Sequence, residues 1–415
     1  MIINKEEVII KTQCRICNTS EFDKILKLRD TPLEDQYLKT NIEQKTYPLT
    51  LLKCQNCEYI FLKEVVSPQI SYSEYLYESK VTNGLDIHYD QYISNIIKKY
   101  KIPKKSLAVD LGSNDGLMLS LFKKNKLIPL GVEPAKEIAS RANSIGLTTI
   151  NSFFGNATSN FIIKNYSRSM LITANYMFAN IDNLDEFLHN VVKILHKKGV
   201  FIIQTGYHPD QFKKNMFDYI YHEHFSYFCL NTLDKILKKY DLKVVDAERI
   251  SPKGGSLRVV CVHKHNSKRI SNSYFNLLEY EKKGNFNAKS YFEKLRDNID
   301  KEKLALTKIL SLAKKQEKTI VGFGASHSTT TLMYEFELHK FIDYVVDDNE
   351  SKQNTFTPGI NIPVFNTKKI HKEKPDLVII LAWQHRSVIL DKHKNYLDKG
   401  GVFLLPLPSL KVKKT

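Results

Sequence analysis

The chain has 415 residues, 42% hydrophobic and 26% charged, with one Trp and a net charge of +17. That length is too great for one ordinary core and points to two or three domains, and no run of about 18 apolar residues exists to span a bilayer. The charge fits an anionic partner such as nucleic acid, a membrane or a phosphorylated small molecule, but the lysines are dispersed in short pairs ("IIKKY", "FKKNK", "LKKY") and form no long basic tract. The N-terminus "MIINKEEVIIKTQC" has no apolar h-region, so a cytoplasmic location is expected.

Residues 1–66 carry four of the six cysteines as "CRIC" (Cys14, Cys17) and "CQNC" (Cys54, Cys57). Without a secretory signal, thiols paired this way more often bind zinc than form disulfides, and a shell closed by four thiolates leaves no open position for chemistry. A structural zinc-binding domain over 1–66 is expected. Residues 67–100 are aromatic and polar, then helical by period, and this connector could lie over an active site, with Tyr75 and Tyr77 two apart.

From residue 103 strands and helices alternate. "SLAVDLGSNDGLMLSLFKK" reads as strand, glycine turn and helix, and "KLIPLGVEPAKEIASRA" repeats the unit with Glu133 at the strand end. "SMLITAN", "GVFIIQT" and "LKVVDAERI" are further strands, and "SLRVVCVH" adds an antiparallel one. A charged helical stretch (274–310) then leads to a second block that opens on "KTIVGFGASHSTTTLMYEF" and continues with strands in "IDYVVDDNESKQ", "NIPVF" and "PDLVIILAW". The fold class expected is α/β: a central Rossmann-like domain over 67–270 and a C-terminal Rossmann-like domain over 271–415, each presenting a helix N-terminus after a glycine turn.

In "VDLGSNDG" Asp110 ends a strand and Gly112 and Gly116 bracket the turn, while Glu133 follows about 20 residues on, where an acid can accept both ribose hydroxyls of an adenosine. The departure from G-x-G-x-x-G disfavours a dinucleotide and favours adenosylmethionine, which needs no pyrophosphate cradle. Asn114 in the turn and Asn175 at the end of "SMLITAN" complete the expected cofactor contacts, and Asn175 and Asn180 supply polar groups where the cofactor's methionine end and the substrate should meet. The run "YIYHEHFSYF" (219–228) is denser in titratable and aromatic groups than any other. It reads as a metal site, a proton-transfer site or an aromatic plug; His222 and His224 lie two apart without H-E-x-x-H, which disfavours the metal.

Taken in order, "CRIC…CQNC", "VDLGSNDG", "GVEPA", "ANYMFANIDNLDEFL", "FDYIYHEHFSYF", "GGSLRV", "GFGAS" and "VDDNESKQ" resemble the three-domain sugar C-methyltransferases. Those enzymes methylate a carbon of a nucleotide-linked keto-deoxysugar with adenosylmethionine. The resemblance implies an N-terminal zinc-binding domain, a central methyltransferase domain and a C-terminal Rossmann-like domain that helps to bind the sugar nucleotide. A carbon beside a ketone becomes a nucleophile only after losing a proton, so a base and a group that stabilises the enolate oxygen are required. By resemblance His224 is the base, Glu223 orients a group or binds a sugar hydroxyl, and Tyr221 and Tyr77 lie near the keto oxygen. Lys253, Ser256, Arg258, Gly324, Ser326 and His327 are the expected sugar-nucleotide contacts. Lys253 stands where the family commonly has His, and "SHS" (326–328) where two small residues and Lys are usual, so the sugar is left open. No nucleic-acid or membrane partner is expected, and the chain is expected to be a monomer or small homo-oligomer. The rival readings are an RNA methyltransferase with a zinc-ribbon recognition domain and a noncatalytic sugar-nucleotide-binding protein.

Overall fold

The computed structural model describes residues 7–67 and 84–414; Tyr75 and Tyr77 lie outside the described residues. The N-terminal region contains β1 (Val8–Ile10), β2 (Phe22–Thr31), β3 (Tyr47–Cys54), β4 (Ile60–Leu62) and β5 (Glu64–Val66). β2, β3 and β4 pair antiparallel in sequence, and β1 pairs with β5.

The central domain runs through α1 (Leu85–Tyr100), β6 (Leu107–Leu111), α2 (Leu117–Lys124), β7 (Ile128–Val132), α3 (Lys136–Ser144), β8 (Thr149–Ile150), α4 (Asn156–Asn165), β9 (Ser169–Asn175) and α5 (Leu184–Ile194). It continues through β10 (Leu195–Gly206), α6 (His208–Lys213), β11 (Ser226–Tyr227), α7 (Leu230–Lys239), β12 (Leu242–Ile250), β13 (Ser256–His263) and α8 (Asn272–Gly284). Seven strands form one sheet in the order β12-β13-β10-β9-β6-β7-β8, and β13 runs antiparallel to both its neighbours. Every residue of β6 is buried, which is why "LAVDL" is almost continuously apolar: helices cover both faces of a central parallel strand. Asn183 starts α5 by accepting the Glu186 amide. Leu184, Phe187, Leu188, Val191 and Ile194 then fall on its buried face at helical spacing.

The C-terminal domain consists of α9 (Lys289–Lys315), β14 (Ile320–Phe323), α10 (His327–Glu335), β15 (Tyr344–Asp347), β16 (Thr355–Phe356), β17 (Pro363–Asn366), β18 (Leu377–Ile380), β19 (Phe403–Leu405) and β20 (Lys411–Lys413), with short helices between. Its seven-stranded sheet has the order β16-β17-β15-β14-β18-β19-β20, parallel except for the two outermost strands. In both large sheets the strand order reverses beside the first strand (β6/β9 and β14/β18), and ligands of such sheets bind at the carboxyl ends of the strands flanking that reversal.

Two details add to the sequence reading. The helical stretch taken as one connector is two helices that break at Asn285 (φ 45°). α8 buries Tyr274 and Leu277 in the core that also holds Leu233, Val244 and Val259, so this core extends past the boundary expected at 271; α9 buries Phe292, Leu295, Leu306 and Leu310 in the next one. The N-terminal region packs into both cores. Cys14, Tyr59 and Phe61 share a core with Val109, Phe178 and Phe228, whereas Leu26, Leu28, Leu49 and Leu51 share one with Leu332 and Phe336.

Candidate active site

The carboxyl ends of β6, β7 and β9 open into a cavity of about 540 Å³ walled by Gly112, Asn114, Glu133, Asn175, Asn180 and Met177, among others. Gly112 has φ 70°, and a Cβ there would come within 2.9 Å of Met177 Cγ, so only glycine leaves the cavity floor open. Glu133 is buried; one carboxylate oxygen accepts the Asn114 amide and the other the Ala135 amide, each at 2.9 Å. Each oxygen retains capacity to accept again, as a ribose diol requires. Asn175 donates to Asp110 at 3.4 Å, while its Oδ1 is buried with no partner among the described residues. Asp110 lies beneath the cavity rather than in its wall; burial raises its carboxyl to about 8, against the opposing bond from Thr173 at 2.5 Å. Gly116 also stays below, where its φ of 83° starts α2. The set fits adenosylmethionine: a glycine floor, an acid at the end of the second strand and an unsatisfied buried amide oxygen.

A second cavity, of about 620 Å³, lies between the central and C-terminal domains; its wall includes Lys214, Lys253, Ser326, Trp383, Gln384 and Arg386. Both cavities have Tyr176, Tyr221, His224, Lys253 and His327 in their walls, so they meet there. At this junction the Tyr221 and His224 rings stack, with centroids 4.1 Å apart and planes at 29°. His224 Nδ1 lies 3.0 Å from the Tyr219 carbonyl, which can only accept. Nδ1 therefore carries the proton and Nε2 keeps its lone pair. Burial lowers this imidazole to about 4, and the charge of Lys253 acts in the same direction.

His222 does not face the junction. It is fully buried, with Nδ1 2.7 Å from Glu34 Oε1 and Nε2 3.3 Å from the Tyr47 carbonyl, so both ring nitrogens are engaged. Glu223 is buried beside it, and its carboxyl is held well above the usual carboxylate range by burial, then by Glu34 and Asp35. His327 stands between acids, Nε2 3.8 Å from Glu223 Oε1 and Nδ1 3.6 Å from Asp35 Oδ1, while Lys352 pairs with Asp35 at 2.6 Å. The sequence reading missed Glu34, Asp35 and Lys352. The one signal for Glu34 and Asp35 was two acids inside the apolar-flanked "TPLEDQYL"; Lys352 lies in "VDDNESKQ".

Of the expected sugar-nucleotide contacts, Lys253, Ser326 and His327 converge on the second cavity. Lys253 adopts φ 52° between β12 and β13, its ammonium 4.3 Å from the Tyr176 ring. Ser326 caps α10. Gly324, at φ 113°, packs on Ala382 beneath the cavity. Ser256 and Arg258 are not brought to it: Ser256 is buried with its hydroxyl on the Pro252 carbonyl, and Arg258 pairs with Glu248 and stacks over Tyr92. Both belong to β13, whose inward residues are committed to the sheet and to α1. Lys214, Trp383, Gln384 and Arg386 went unnoticed in the sequence; the last three follow β18 at the strand-order reversal, where topology directs attention.

The Sγ atoms of Cys14, Cys17, Cys54 and Cys57 all lie within 4.8 Å of one another, with Cys14 to Cys57 at 3.6 Å and Cys17 to Cys54 at 3.4 Å. A tetrahedral shell with Zn–S bonds of about 2.3 Å sets sulfurs roughly 3.8 Å apart, so the four fit zinc with little movement. The Ile16 and Cys57 amides point at Cys14 and Cys54 sulfurs, at 3.5 and 3.4 Å, as thiolates require. Among the described residues this is the one cluster able to hold a metal.

Three family models match the chain in succession: a zinc binding domain over residues 14–72, a methyltransferase domain over 86–247 and a C-methyltransferase C-terminal domain over 251–408. The C-methyltransferase NovU of Streptomyces niveus is 26% identical over 404 residues, 96% of either chain. Among solved structures, an S-adenosylmethionine-dependent methyltransferase from Clostridium acetobutylicum matches at 13% identity and TM-score 0.34, covering 44% of this chain and 92% of its own. Magnesium protoporphyrin IX methyltransferase from Synechocystis with bound SAM matches at 10% and 0.32, covering 43% and 80%. With a cysteine cluster built for zinc, a central sheet of methyltransferase type and a second Rossmann-like domain after it, the chain matches, domain by domain, the make-up of an adenosylmethionine-dependent C-methyltransferase.

Proposed function

We propose that the protein methylates a carbon adjacent to the ketone of a nucleotide-linked keto-deoxysugar. The observation that carries this reading is the meeting of the two cavities at His224: the residues of one fit adenosylmethionine, and the other is edged by Lys214, Lys253 and Arg386, cations suited to a diphosphate. When bound, adenosylmethionine supplies the electrophilic methyl group. His224, with Nε2 free, takes the proton α to the ketone, a contribution of about 10²–10⁴ in rate for a positioned base.

Burial, then Glu34 and Asp35, raise the Glu223 carboxyl and so favour its protonated form, whose O–H can donate to the ketone oxygen or a neighbouring hydroxyl as negative charge develops there. Tyr221 holds the imidazole plane by stacking and presents a second hydroxyl to the junction. His327, itself in the junction wall, stands between Glu223 and Asp35, at 3.8 and 3.6 Å from their carboxylates. Lys253 adds positive charge beside the developing enolate. Tyr77 is the remaining proposed hydroxyl, outside the described residues.

The test is mass spectrometry of a panel of nucleotide-linked keto-deoxysugars incubated with protein and adenosylmethionine. A product heavier by one methylene is expected for at least one member. Transfer of methyl to RNA in place of any sugar would sink the reading.

A further inference from the structure

The first cysteine knuckle does more than close a zinc shell. Arg15 lies between Cys14 and Cys17, yet its side chain leaves the knuckle and is only 3% exposed. Its Nε donates to Asp182 Oδ1 at 2.8 Å, and Lys11 Nζ donates to Asp182 Oδ2 at 2.6 Å, so both oxygens of that carboxylate are held from the N-terminal domain. Asp182, with Asn180, Ile181 and Asn183, forms part of the cofactor cavity wall.

We propose that Arg15 is a positioning residue through which the zinc knuckle holds the Asp182 segment, so that affinity for adenosylmethionine depends on the zinc domain. The direction of the Arg15 side chain is set by the knuckle itself. The Ile16 amide is tied to Cys14 Sγ, the Ile16 carbonyl is tied to Lys239 Nζ at 3.1 Å, and the guanidinium packs over Phe61 and Phe225 at 5.4 and 5.8 Å. Arg15 Nη1 and Nη2 are buried with no hydrogen-bond partner among the described residues. Burying them uncompensated costs stability that an apolar side chain of equal length would avoid, so packing alone does not account for an arginine here. Between β9 and α5 the same segment is also tied to the catalytic run, where the Phe225 amide donates to the Ala179 carbonyl at 2.9 Å. Zinc knuckle, cofactor wall and His224 segment are thus three successive contacts.

The inference rests on the cavity being the cofactor site, and calorimetry with S-adenosylhomocysteine on the full-length zinc-loaded protein separates the two. Arg15→Met and Asp182→Asn are each expected to raise Kd by about 5- to 10-fold, the lower range of couplings between sites, with zinc content retained. Their double variant should be little worse than either single one, the sign that both act through one contact. Glu58→Gln, which breaks a half-exposed pair with Lys235 at the other knuckle, should leave Kd unaltered. If Arg15→Met fails to fold, Asp182→Asn decides, because it leaves the knuckle intact. Wild-type affinity in Asp182→Asn overturns the inference while sparing the cofactor reading; absence of binding by the wild type overturns both.

Discussion

The Tyr221 and His224 rings lie face to face at 4.1 Å, and the Tyr219 carbonyl fixes the tautomer that leaves His224 Nε2 unprotonated. Burial lowers the imidazole from 6.5 to about 4, so it is neutral throughout the neutral range and gains its proton only in acid. The acid limb of kcat/KM should therefore lie near pH 4. A limb near 6.5 would mean that another, solvated imidazole is the base.

Glu223 shifts the other way. Burial, then Glu34 and Asp35, raise this carboxyl, which favours the protonated form; the proton is lost as pH rises through the raised value. If it works as a donor, Glu223→Gln, whose amide can also donate, should keep activity within roughly tenfold and abolish the alkaline limb, whereas Glu223→Ala should cost about 10²–10³ in kcat. Equal losses in the two variants would show that the carboxylate is the working form.

At Gly112 the left-handed φ and the 2.9 Å approach of Met177 Cγ act together. Gly112→Ala should weaken S-adenosylhomocysteine binding by roughly tenfold or more, since an L side chain at such a φ costs about 1–2 kcal/mol before any displacement of Met177. Calorimetry reads this directly, and unchanged affinity would argue against this cavity as the cofactor site.

Because the cysteine cluster shares a core with the central sheet, zinc removal should be felt beyond residues 1–66. β4 follows Cys57 and pairs with β11 of the catalytic run, and Tyr59 is hydrogen-bonded to Ser226. Cys57→Ser should lower Tm by roughly 10 °C, taking about 3 °C per kcal/mol for domains of this size, and should lower activity at temperatures below that Tm. A variant with lowered Tm and wild-type activity would separate the metal from the site.

His222 and Glu34 form a fully buried pair whose partners come from different domains. Glu34→Leu leaves a buried imidazole and a backbone amide without their acceptor and should destabilise by about 3–5 kcal/mol in urea titrations. Adding His222→Phe should restore much of that loss. If the single substitution costs under 1 kcal/mol, the pair is not what anchors the run.

Much of this arrangement was legible in the sequence, for physical reasons. Strand and helix alternation, the Gly112 turn and Glu133 depend on local pattern, and the C-x-x-C spacing encodes a metal shell by itself. What pattern cannot carry is contact across domains. His222 and His224 look equivalent in "YIYHEHFSYF", and only the arrival of Glu34 from 188 positions away distinguishes the anchored imidazole from the one facing the cavities. Arg258 was an expected sugar-nucleotide contact, and no local pattern reveals its partners in the fold, Glu248 and Tyr92. Arg386 was passed over because a basic residue after an apolar strand is common in a chain carrying 62 Lys and Arg.

The central claim is that His224 generates the nucleophile at the junction of the two cavities, and solvent exchange tests it most directly. In deuterated water, with a nucleotide-linked keto-deoxysugar that the protein methylates but without the methyl donor, wild-type protein should exchange the proton α to the ketone. His224→Ala should not, while still binding S-adenosylhomocysteine. Exchange that persists undiminished in His224→Ala would contradict the account.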